Sequence, residues 1–329
     1  MEQPDLLTQF DQAAELIAAS RWPLLICHVA PDGDAIGSLL GLTWILRALG
    51  KNVTPASQDG VPKNLRFLPG SQTVVSQAAG QADLVIAIDS SDLERLGTVY
   101  DQALLNNVPL LNIDHHITNL MFGSLNVVAP TATSAAEVVY DLAQSQGWPI
   151  PPEAAQSLLT GLVTDTRGFR TSNVSARTLE IAQRLMEAGG SLHAVTEGVL
   201  EQRSFDTVCL WGHALAAARL QDGIAWTAIP LTMRVPCNGV EQSDSGLANF
   251  LVAADEVEVA VVLVERKEGP IDVGFRSAGR VDVAQLALGL GGGGHPRAAG
   301  CTLNMSLPEA KALVLRATRE ALAALPSQP

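Results

Sequence analysis

Acidic side chains and histidines follow three separate apolar stretches of this sequence. In chain order they are His28, Asp32 and Asp34, then Asp89, and then Asp114, His115 and His116. Carboxylates crowded at one place repel one another and raise each other's pKa unless cations lie among them. Carboxylate and imidazole groups without thiolates suit Mn, Mg, Fe, Co or Zn. This many candidate ligands favours two metal ions, at a separation of roughly 3.5–4 Å.

A simpler interpretation exists for the first group. Asp32 and Asp34 lie in PDGDA, where an Asp-Gly turn followed by an acid that caps a helix would account for both. One such case would leave the alternatives balanced, but an acid or a histidine ends each of the runs LLICH, LVIAID and LLNID. A fourth acid, Asp165 in LVTDTRGF, follows an apolar helical stretch and could reach the same place. The repetition favours a site.

The elements that must position these residues alternate between strand and helix. Short apolar runs at 24–29, 82–89 and 107–114 are typical of buried parallel strands. Helical spacing covers 34–50, 133–147, 152–166 and 175–190. In a parallel α/β sheet, ligands bind outside the carboxyl ends of the strands, which is where these acids and histidines are expected.

The second half of the sequence has a different hydrophobic pattern. It predicts strands at 224–231, 257–266 and 271–277. It predicts helices at 244–253 and 281–290, and a terminal helix that begins at Pro308. We therefore predict an α/β protein with an N-terminal doubly wound, mostly parallel sheet domain, a smaller C-terminal α/β domain and a cleft between them. The predicted bounds are 1–190 for the first domain, 191–220 for a helical connector and 221–325 for the second domain.

The motifs HVAPDGDAIGS, AIDSSD, IDHH and VTDTRGF, in this order and spacing, resemble the four motifs of the DHH phosphoesterase superfamily. Further along, FRS (275–277) and GGGGHPRAAG (291–300) resemble the DHH-associated domain of one subfamily. The resemblance covers nearly the whole chain. Within the subfamily, SQDGVPKNLRFLPG (57–70) and TDTRGFRTSN (164–173) are most similar to the nanoRNase type.

The resemblance implies a division of the metal ligands. His28, Asp32 and Asp89 would hold one ion, while Asp34, Asp89, His115 and Asp165 would hold the second, with Asp89 bridging. Mn²⁺ is the favoured ion, with Mg²⁺ or Co²⁺ as alternatives, and water is the implied nucleophile.

Two residues of the triplet have expected roles beside the ligands. His116 would point away from its neighbour His115 if strand geometry continues, and would then face the phosphate or protonate the leaving group. The alternative is a histidine that only supports a ligand. Asp114 is expected to orient a ligand.

Candidate substrate-binding residues lie in the second half. Arg276 could contact a phosphate through its forked guanidinium, and Ser277 follows it. Gly292, Gly293 and Gly294 could bring backbone N–H groups to a phosphate beside His295. The alternative for the glycines is a flexible linker, which the apolar and HPRAAG flanks disfavour.

The resemblance implies a two-metal phosphoesterase that acts on short oligoribonucleotides, including linear dinucleotides, and on adenosine 3′,5′-bisphosphate (pAp), giving nucleoside monophosphates. One alternative is a phosphodiesterase for a cyclic dinucleotide of the c-di-AMP type. An alternative of another class is a catalytically silent nucleotide-binding regulatory module.

The composition of the chain argues against some classes of binding partner. The chain has 329 residues, a formal net charge of −13 and no basic run, so long duplex nucleic acid is not expected as a partner. No apolar stretch suits a membrane span and the acidic N-terminus does not resemble a signal peptide, so we expect a cytoplasmic protein. A homodimer is left open. The four cysteines, Cys27, Cys209, Cys237 and Cys301, show no CxxC pair and are expected to be buried apolar residues rather than disulfide or zinc ligands.

Overall fold

The computed structural model describes residues 5–77, 82–101, 107–201, 203–240, 246–267 and 269–324. The chain divides into two compact units, residues 1–202 and residues 203–329. Among the described helices, none has both the length and the apolar character needed to cross a bilayer. The assignment of 191–220 as a connector, and the cleft, stay predictions.

The first unit contains a five-stranded sheet whose neighbouring strands are all parallel, in the order β2-β1-β3-β4-β5. The strands are β1 Pro23–Cys27, β2 Thr54–Ala56, β3 Leu84–Ile88, β4 Leu110–Asp114 and β5 Leu125–Val128. The three central strands β1, β3 and β4 are buried at every position, as the apolar runs predicted. Because the order reverses between β1 and β3, the carboxyl ends of these strands flank the place where such sheets bind ligands.

Helices cover this sheet. They are α1 Leu6–Ala19, α2 Gly33–Ala48, α3 Ala135–Ser145, α4 Pro152–Asp165, α5 Ala176–Glu187 and α6 Leu192–Val195, which continues as a π-helical segment, Thr196–Glu201. Short 3₁₀ segments lie at Lys63–Leu65, Ser71–Thr73 and Glu94–Val99. Gly50 and Gly147, which follow α2 and α3, adopt the left-handed conformation expected of glycines that end a helix.

Helix α2 is buried on nearly all sides because it packs closely against α4. A Cβ atom at Gly37 would lie 2.6 Å from the Ser157 carbonyl oxygen and 2.7 Å from the Gly161 nitrogen. Both are backbone atoms, so only glycine allows this approach. Gly33 and Gly41, one turn away on either side, would similarly meet Thr164 and Leu158. The glycines thus bring the N-terminal end of α2 next to the C-terminal end of α4.

The second unit is built on a six-stranded mixed sheet in the order β10-β11-β9-β8-β7-β6, in which only the β7–β8 pair is parallel. Its strands are β6 Arg219–Gln221, β7 Ile224–Ile229, β8 Val259–Glu265, β9 Ile271–Ser277, β10 Gly293–His295 and β11 Ala298–Leu303. Its helices are α7 Phe205–Ala216, α8 Leu231–Arg234, α9 Leu247–Val252, α10 Val283–Gly289 and α11 Leu307–Ala323, with a 3₁₀ turn at Val235–Cys237. The predicted α/β class with a smaller second domain is confirmed.

The expectation for the cysteines was wrong for one pair. Cys209 on α7 and Cys237 in the 3₁₀ turn form a disulfide, with Cα atoms 5.7 Å apart and 28 residues between them in sequence. Spacing alone did not reveal this pair because the tertiary fold brings the two segments together. Cys27 and Cys301 are free and buried, as predicted.

Candidate metal centre and active site

The predicted ligands gather at the carboxyl ends of β1, β3 and β4. His28 follows β1 directly, Asp89 follows β3, and His115 follows β4. Three sets of side chains each have potential ligand atoms within 4.8 Å of one another: His28, Asp32 and Asp89; Asp34, His115 and Asp165; and Asp89, His115 and His116. The first set contains the three residues predicted for one metal site, and the second contains three of the four predicted for the other, without Asp89.

His28 is oriented as a ligand through its ε nitrogen. Its Nδ1 lies 2.7 Å from the Val29 carbonyl oxygen, so Nδ1 carries the proton and donates it. This leaves the lone pair on Nε2, which lies 3.5 Å from Asp89 Oδ2 and 3.9 Å from Asp32 Oδ1. A hydrogen bond at the far nitrogen is how metal-binding histidines are usually fixed.

Asp32 and Asp34 have different surroundings although only Gly33 separates them in sequence. Asp32 caps α2, where its Oδ1 accepts hydrogen bonds from the Asp34 and Ala35 nitrogens at 3.0 Å each, and its side chain is largely exposed. Asp32 therefore caps the helix, as the simpler interpretation predicted, and is also a candidate metal ligand. Asp34 is buried and accepts the first N–H groups of α3, from Ala135 at 2.6 Å and Ala136 at 3.0 Å. The helix N-terminus thus fixes Asp34 and favours its charged form.

His115 lies at the centre of the second set. Its Nε2 is 3.7 Å from Asp34 Oδ2, 3.6 Å from Asp89 Oδ1 and 3.8 Å from Asp165 Oδ2. Asp165 is the last residue of α4 and reaches this place because the α2 glycines let α4 approach closely.

Asp89 carries the observation that bears most directly on a cation. The residue is buried, it adopts a left-handed conformation with φ +56°, and its Oδ1 has no hydrogen-bond partner among the described residues. A buried charged oxygen without a partner costs several kcal/mol in general, so such oxygens normally bind a cation or carry a proton. The donor set of carboxylates and imidazoles around Asp89 fits divalent metal ions.

The carboxyl groups are perturbed in the direction that crowding predicts. Burial, together with the nearby Asp165 carboxylate, raises the pKa of Asp34 to about 7. Burial and the Asp32 carboxylate raise the pKa of Asp165 to about 6. Burial and the Asp34 carboxylate raise the pKa of Asp89 well above its ordinary value. In the metal-free protein, the positive charge near these three carboxyl groups is therefore too small to offset burial and their mutual repulsion.

His116 and Asp114 form a pair at the edge of this cluster. His116 Nδ1 lies 2.7 Å from Asp114 Oδ1, and that hydrogen bond is the main reason that the pKa of His116 rises to about 9. The expectation that His116 points away from the ligands was wrong: its Nδ1 also lies 3.6 Å from Asp89 Oδ1. The strand ends at Asp114, so the alternation of side chains does not continue through His115 and His116.

Asp114 is fully buried at the end of β4, where its carboxylate contacts His116 and belongs to none of the three ligand sets. Burial opposes its ionisation, but hydrogen bonds from His116 and Asn119 hold the pKa of Asp114 below its usual value. Asn119 Nδ2 donates to Asp114 Oδ2 at 2.6 Å. Asn119 was not predicted from the sequence; an amide that follows the triplet by three residues was the available signal.

Two further residues at the rim were missed. Asp59 Oδ2 accepts the Ala30 N–H at 2.6 Å and so fixes the loop after β1, where Ala30 has φ +50°. Arg95 accepts the Val29 N–H through its carbonyl at 2.7 Å, and its guanidinium acts electrostatically on His116. A single arginine within SSDLERLG gave no spacing signal, because its relation to His28 depends on the tertiary fold.

Two of the substrate-binding candidates of the second unit, Arg276 and His295, lie in one row across its sheet. Register pairs His295 with Ala298 and Ala298 with Arg276, so these side chains lie on one face. Arg276 Nε donates to Asn249 Oδ1 at 2.6 Å, and His295 is exposed. Ser277, the next residue on β9, is buried and accepts the Gly279 N–H at 3.0 Å, so it lies on the opposite face from Arg276.

The glycine tract is not a linker. Gly293 and Gly294 belong to β10, which pairs with Gly300 and Ala299 of β11. A Cβ at Gly294 would lie 2.6 Å from the Ala298 carbonyl oxygen, and Gly292 has a similarly close approach to β11. The tract is thus an edge strand whose glycines permit close pairing, and its outer N–H groups lie at the border of the sheet.

Comparisons with known proteins agree with both units. The N-terminal domain of the DHH family matches residues 24–162, and the DHHA1 domain matches residues 236–324. A bifunctional oligoribonuclease and PAP phosphatase NrnA from Thermus thermophilus is 36% identical over 94% of this chain and 93% of that protein. The protein of the same name from Bacillus subtilis is 31% identical over 84% of this chain and 87% of its own length.

The fold also has a solved counterpart. The crystal structure of an exopolyphosphatase-related protein from Bacteroides fragilis has a TM-score of 0.87 with this chain, at 24% identity and with 96% of each chain covered. This likeness concerns the fold.

Proposed function

Because the chain belongs to the DHH family and resembles NrnA proteins along nearly its whole length, we propose that it hydrolyses short oligoribonucleotides and pAp to nucleoside monophosphates. The observation that carries this proposal is the group of acids and histidines around Asp89, whose Oδ1 accepts no hydrogen bond from any described residue. A silent nucleotide-binding module would have no need to keep every predicted ligand in place.

In this proposal two divalent ions, with Mn²⁺ favoured, occupy the two ligand sets. His28, Asp32 and Asp89 would hold one ion, and Asp34, Asp89, His115 and Asp165 would hold the other. Imidazole ligands favour Mn²⁺ over the harder Mg²⁺. When bound, the ions supply Lewis-acid polarisation of the phosphoryl group and a lower pKa for water.

The protein's own residues position and protonate the substrate. His116, held protonated by Asp114, donates a proton to the leaving oxygen at its Nε2, because Nδ1 is bonded to Asp114. Asn119 keeps Asp114 in place for this role. Arg95 adds a positive charge near His116 that suits a phosphate oxygen.

The second unit would supply nucleotide-binding groups of its own. Arg276 and His295, on one face of the sheet with only Ala298 between them, could contact a phosphate or a base. The N–H groups of Gly293 and Gly294 could add hydrogen bonds, whereas the predicted contact through Gly292 is not supported, because its N–H already donates to the Ala287 carbonyl at 2.8 Å. Ser277 would act as a support for β9 rather than as a contact, since it is buried on the other face. The same proposal places the protein in the cytoplasm.

The test is a hydrolysis panel on the purified protein. The substrates are pAp, a linear diribonucleotide, a cyclic dinucleotide and a long single-stranded RNA, each with Mn²⁺, with Mg²⁺ and with excess chelator. We expect turnover of the first two that depends on metal, and slow or no turnover of the last two. The Asp89→Asn variant serves as the control for a contaminating nuclease.

The panel also distinguishes the alternatives. Faster hydrolysis of the cyclic dinucleotide than of the linear one would replace the proposal by a cyclic-dinucleotide phosphodiesterase. Nucleotide binding without turnover under any metal condition would support the silent regulatory module.

A further inference from the structure

A second cluster of potential metal ligands lies in the second unit and is unrelated to the centre described above. Cys209 and His213 are one turn apart on α7, and Cys237 ends the 3₁₀ turn Val235–Cys237. One ligand atom of each residue lies within 4.8 Å of the others. His213 is exposed and Cys209 is half-buried, so the cluster opens to solvent, while Cys237 is buried beneath it.

The donor atoms differ in kind from those of the first unit. Two sulfurs and one imidazole select Zn²⁺ and similar borderline ions, whereas carboxylates and imidazoles without sulfur suit Mn²⁺ or Mg²⁺. Two thiolates on one tetrahedral zinc lie about 3.8 Å apart, given Zn–S bonds of about 2.3 Å. The Cα atoms of Cys209 and Cys237 are 5.7 Å apart, so rotation of the two side chains can provide that spacing without moving the backbone.

A carboxylate lies beside the cluster as well. Asp206 precedes Cys209 by three residues, on the same face of α7, and its Oδ1 accepts a hydrogen bond from Asn238 Nδ2 at 2.8 Å. Asn238 is the neighbour of Cys237, so Asp206 reaches the segment that carries the second sulfur. Asp206 does not belong to the group of ligand atoms within 4.8 Å, so it supports the Cys237 segment through Asn238 and leaves the fourth coordination position to water.

We propose that Cys209, His213 and Cys237 form a Zn²⁺ site when their disulfide is reduced, so that one cross-link between α7 and the Val235–Cys237 turn replaces another. A dithiol reductant supplies two electrons and two protons, which converts the disulfide into two thiols and the reductant into its own disulfide. Zinc binding then releases the two thiol protons. The site is independent of the proposed hydrolysis, because none of its residues belongs to the first unit.

Cobalt provides a direct readout, because thiolate ligands give Co²⁺ a charge-transfer band that oxygen and nitrogen ligands do not. We would reduce the full-length protein anaerobically with a phosphine, saturate the ligands of the first unit with Mn²⁺, titrate the protein with Co²⁺ and then displace the cobalt with Zn²⁺. The expected result is a thiolate band that saturates at one ion per chain in the reduced protein, is absent from the oxidised protein and disappears on addition of zinc.

Variants assign the band to the cluster. The double variant Cys209→Ser/Cys237→Ser keeps Cys27 and Cys301, so a band that persists in it would overturn the proposal. His213→Ala, at an exposed position, should keep the disulfide and weaken metal binding by at least the roughly 10–100-fold that loss of an outer partner costs. His193→Ala, another exposed histidine, is the matched control and should leave the titration unchanged.

Thermal melts of the parent protein test the proposal even if the serine variants fold poorly. Zinc should raise the melting temperature of the reduced parent after the catalytic ligands have been saturated with Mn²⁺, and should not raise that of the oxidised parent. A reduced parent that shows neither the cobalt band nor the zinc-dependent shift would refute the site and identify the pair as a plain disulfide.

Discussion

The carboxylate of Asp114, the last residue of β4, lies 2.7 Å from Nδ1 of His116, two residues beyond the end of the strand. This one hydrogen bond contributes most to a His116 pKa of about 9, so the imidazole is protonated at neutral pH in the metal-free protein. The buried acid thereby determines which nitrogen of His116 remains available to a substrate.

Asp114→Asn should lower the pKa of His116 toward its ordinary value, because the charged acceptor is lost. In the metal-free protein, NMR titration of the histidine resonances should show His116 deprotonating at lower pH than in the parent. With metal present, activity should fall by about 10–100-fold, as is usual when a supporting partner is removed. An unchanged titration would contradict the role given to Asp114.

Asp89→Asn should abolish activity and metal binding more completely than Asp114→Asn does, because Asp89 is proposed to serve both metal ions. Its Oδ2 lies 3.5 Å from His28 Nε2 and its Oδ1 lies 3.6 Å from His115 Nε2. The same change should raise the melting temperature in chelator, since it removes a buried carboxylate whose Oδ1 has no partner in the described part of the chain. Calorimetry with Mn²⁺ and thermal melts in chelator measure the two effects. Equal losses of metal binding in the two variants would refute the division of roles.

The stabilising effect of metal should increase with pH. The pKa of Asp34 is raised from 3.8 to about 7 and that of Asp165 from 3.8 to about 6. A raised pKa contributes stability that is fully present below the unfolded value and lost as pH rises through the folded value, so the metal-free protein should weaken between about pH 4 and 7. Bound cations remove that loss. Melts with Mn²⁺ and with chelator should therefore diverge from pH 5 to 8, and a constant difference would contradict the assignment.

The site was predictable from sequence because its ligands follow apolar strands directly, and parallel strands bring their carboxyl ends to one edge. The orientation of the His116 side chain was not predictable, because it depends on the strand ending at Asp114, which the sequence does not show. Among the strands of the first unit, β2 and β5 were missed because both are short, β2 contains Pro55, and β5 has a single buried residue. Such edge strands have little hydrophobic pattern to detect.

The second unit shows the same limit. Strand β9 was predicted at its observed bounds, 271–277. In the structure its residues alternate between buried and half-buried positions, as expected of a strand with one face on the core. The glycine tract that forms β10 carries no side-chain pattern, and its pairing with β11 is visible only in three dimensions. The Cys209–Cys237 bridge was missed for the same reason.

Gly37→Ala tests how the ligands are brought together. An added Cβ would meet backbone atoms of Ser157 and Gly161, which cannot rotate away, so α2 must move from α4. We expect a loss of about 1–3 kcal/mol in the free energy of unfolding, together with weaker metal binding as Asp34 and Asp165 separate. Gly212→Ala is the matched control: the site lies on α7 and no described atom would lie within 4 Å of the new Cβ, so it should be neutral or slightly stabilising. Equal destabilisation by both variants would contradict the packing argument.

Ala298→Glu tests the row that joins His295, Ala298 and Arg276 across three strands. Neighbouring strands lie about 4.8 Å apart, so a carboxylate at position 298 would stand between the imidazole and the guanidinium, on the same face of the sheet. If that face binds a substrate phosphate, the added charge should raise KM for pAp at least about tenfold and leave kcat nearly unchanged, because it weakens substrate binding without touching the reacting groups. Arg276→Ala should shift KM in the same direction, whereas Arg219→Ala, at an exposed arginine on the opposite edge of the sheet, should not. Initial rates over a range of pAp concentrations, at saturating Mn²⁺, separate the two constants. A fall in kcat at unchanged KM, or a parent-like KM in Ala298→Glu, would show that this face is not where the nucleotide is held.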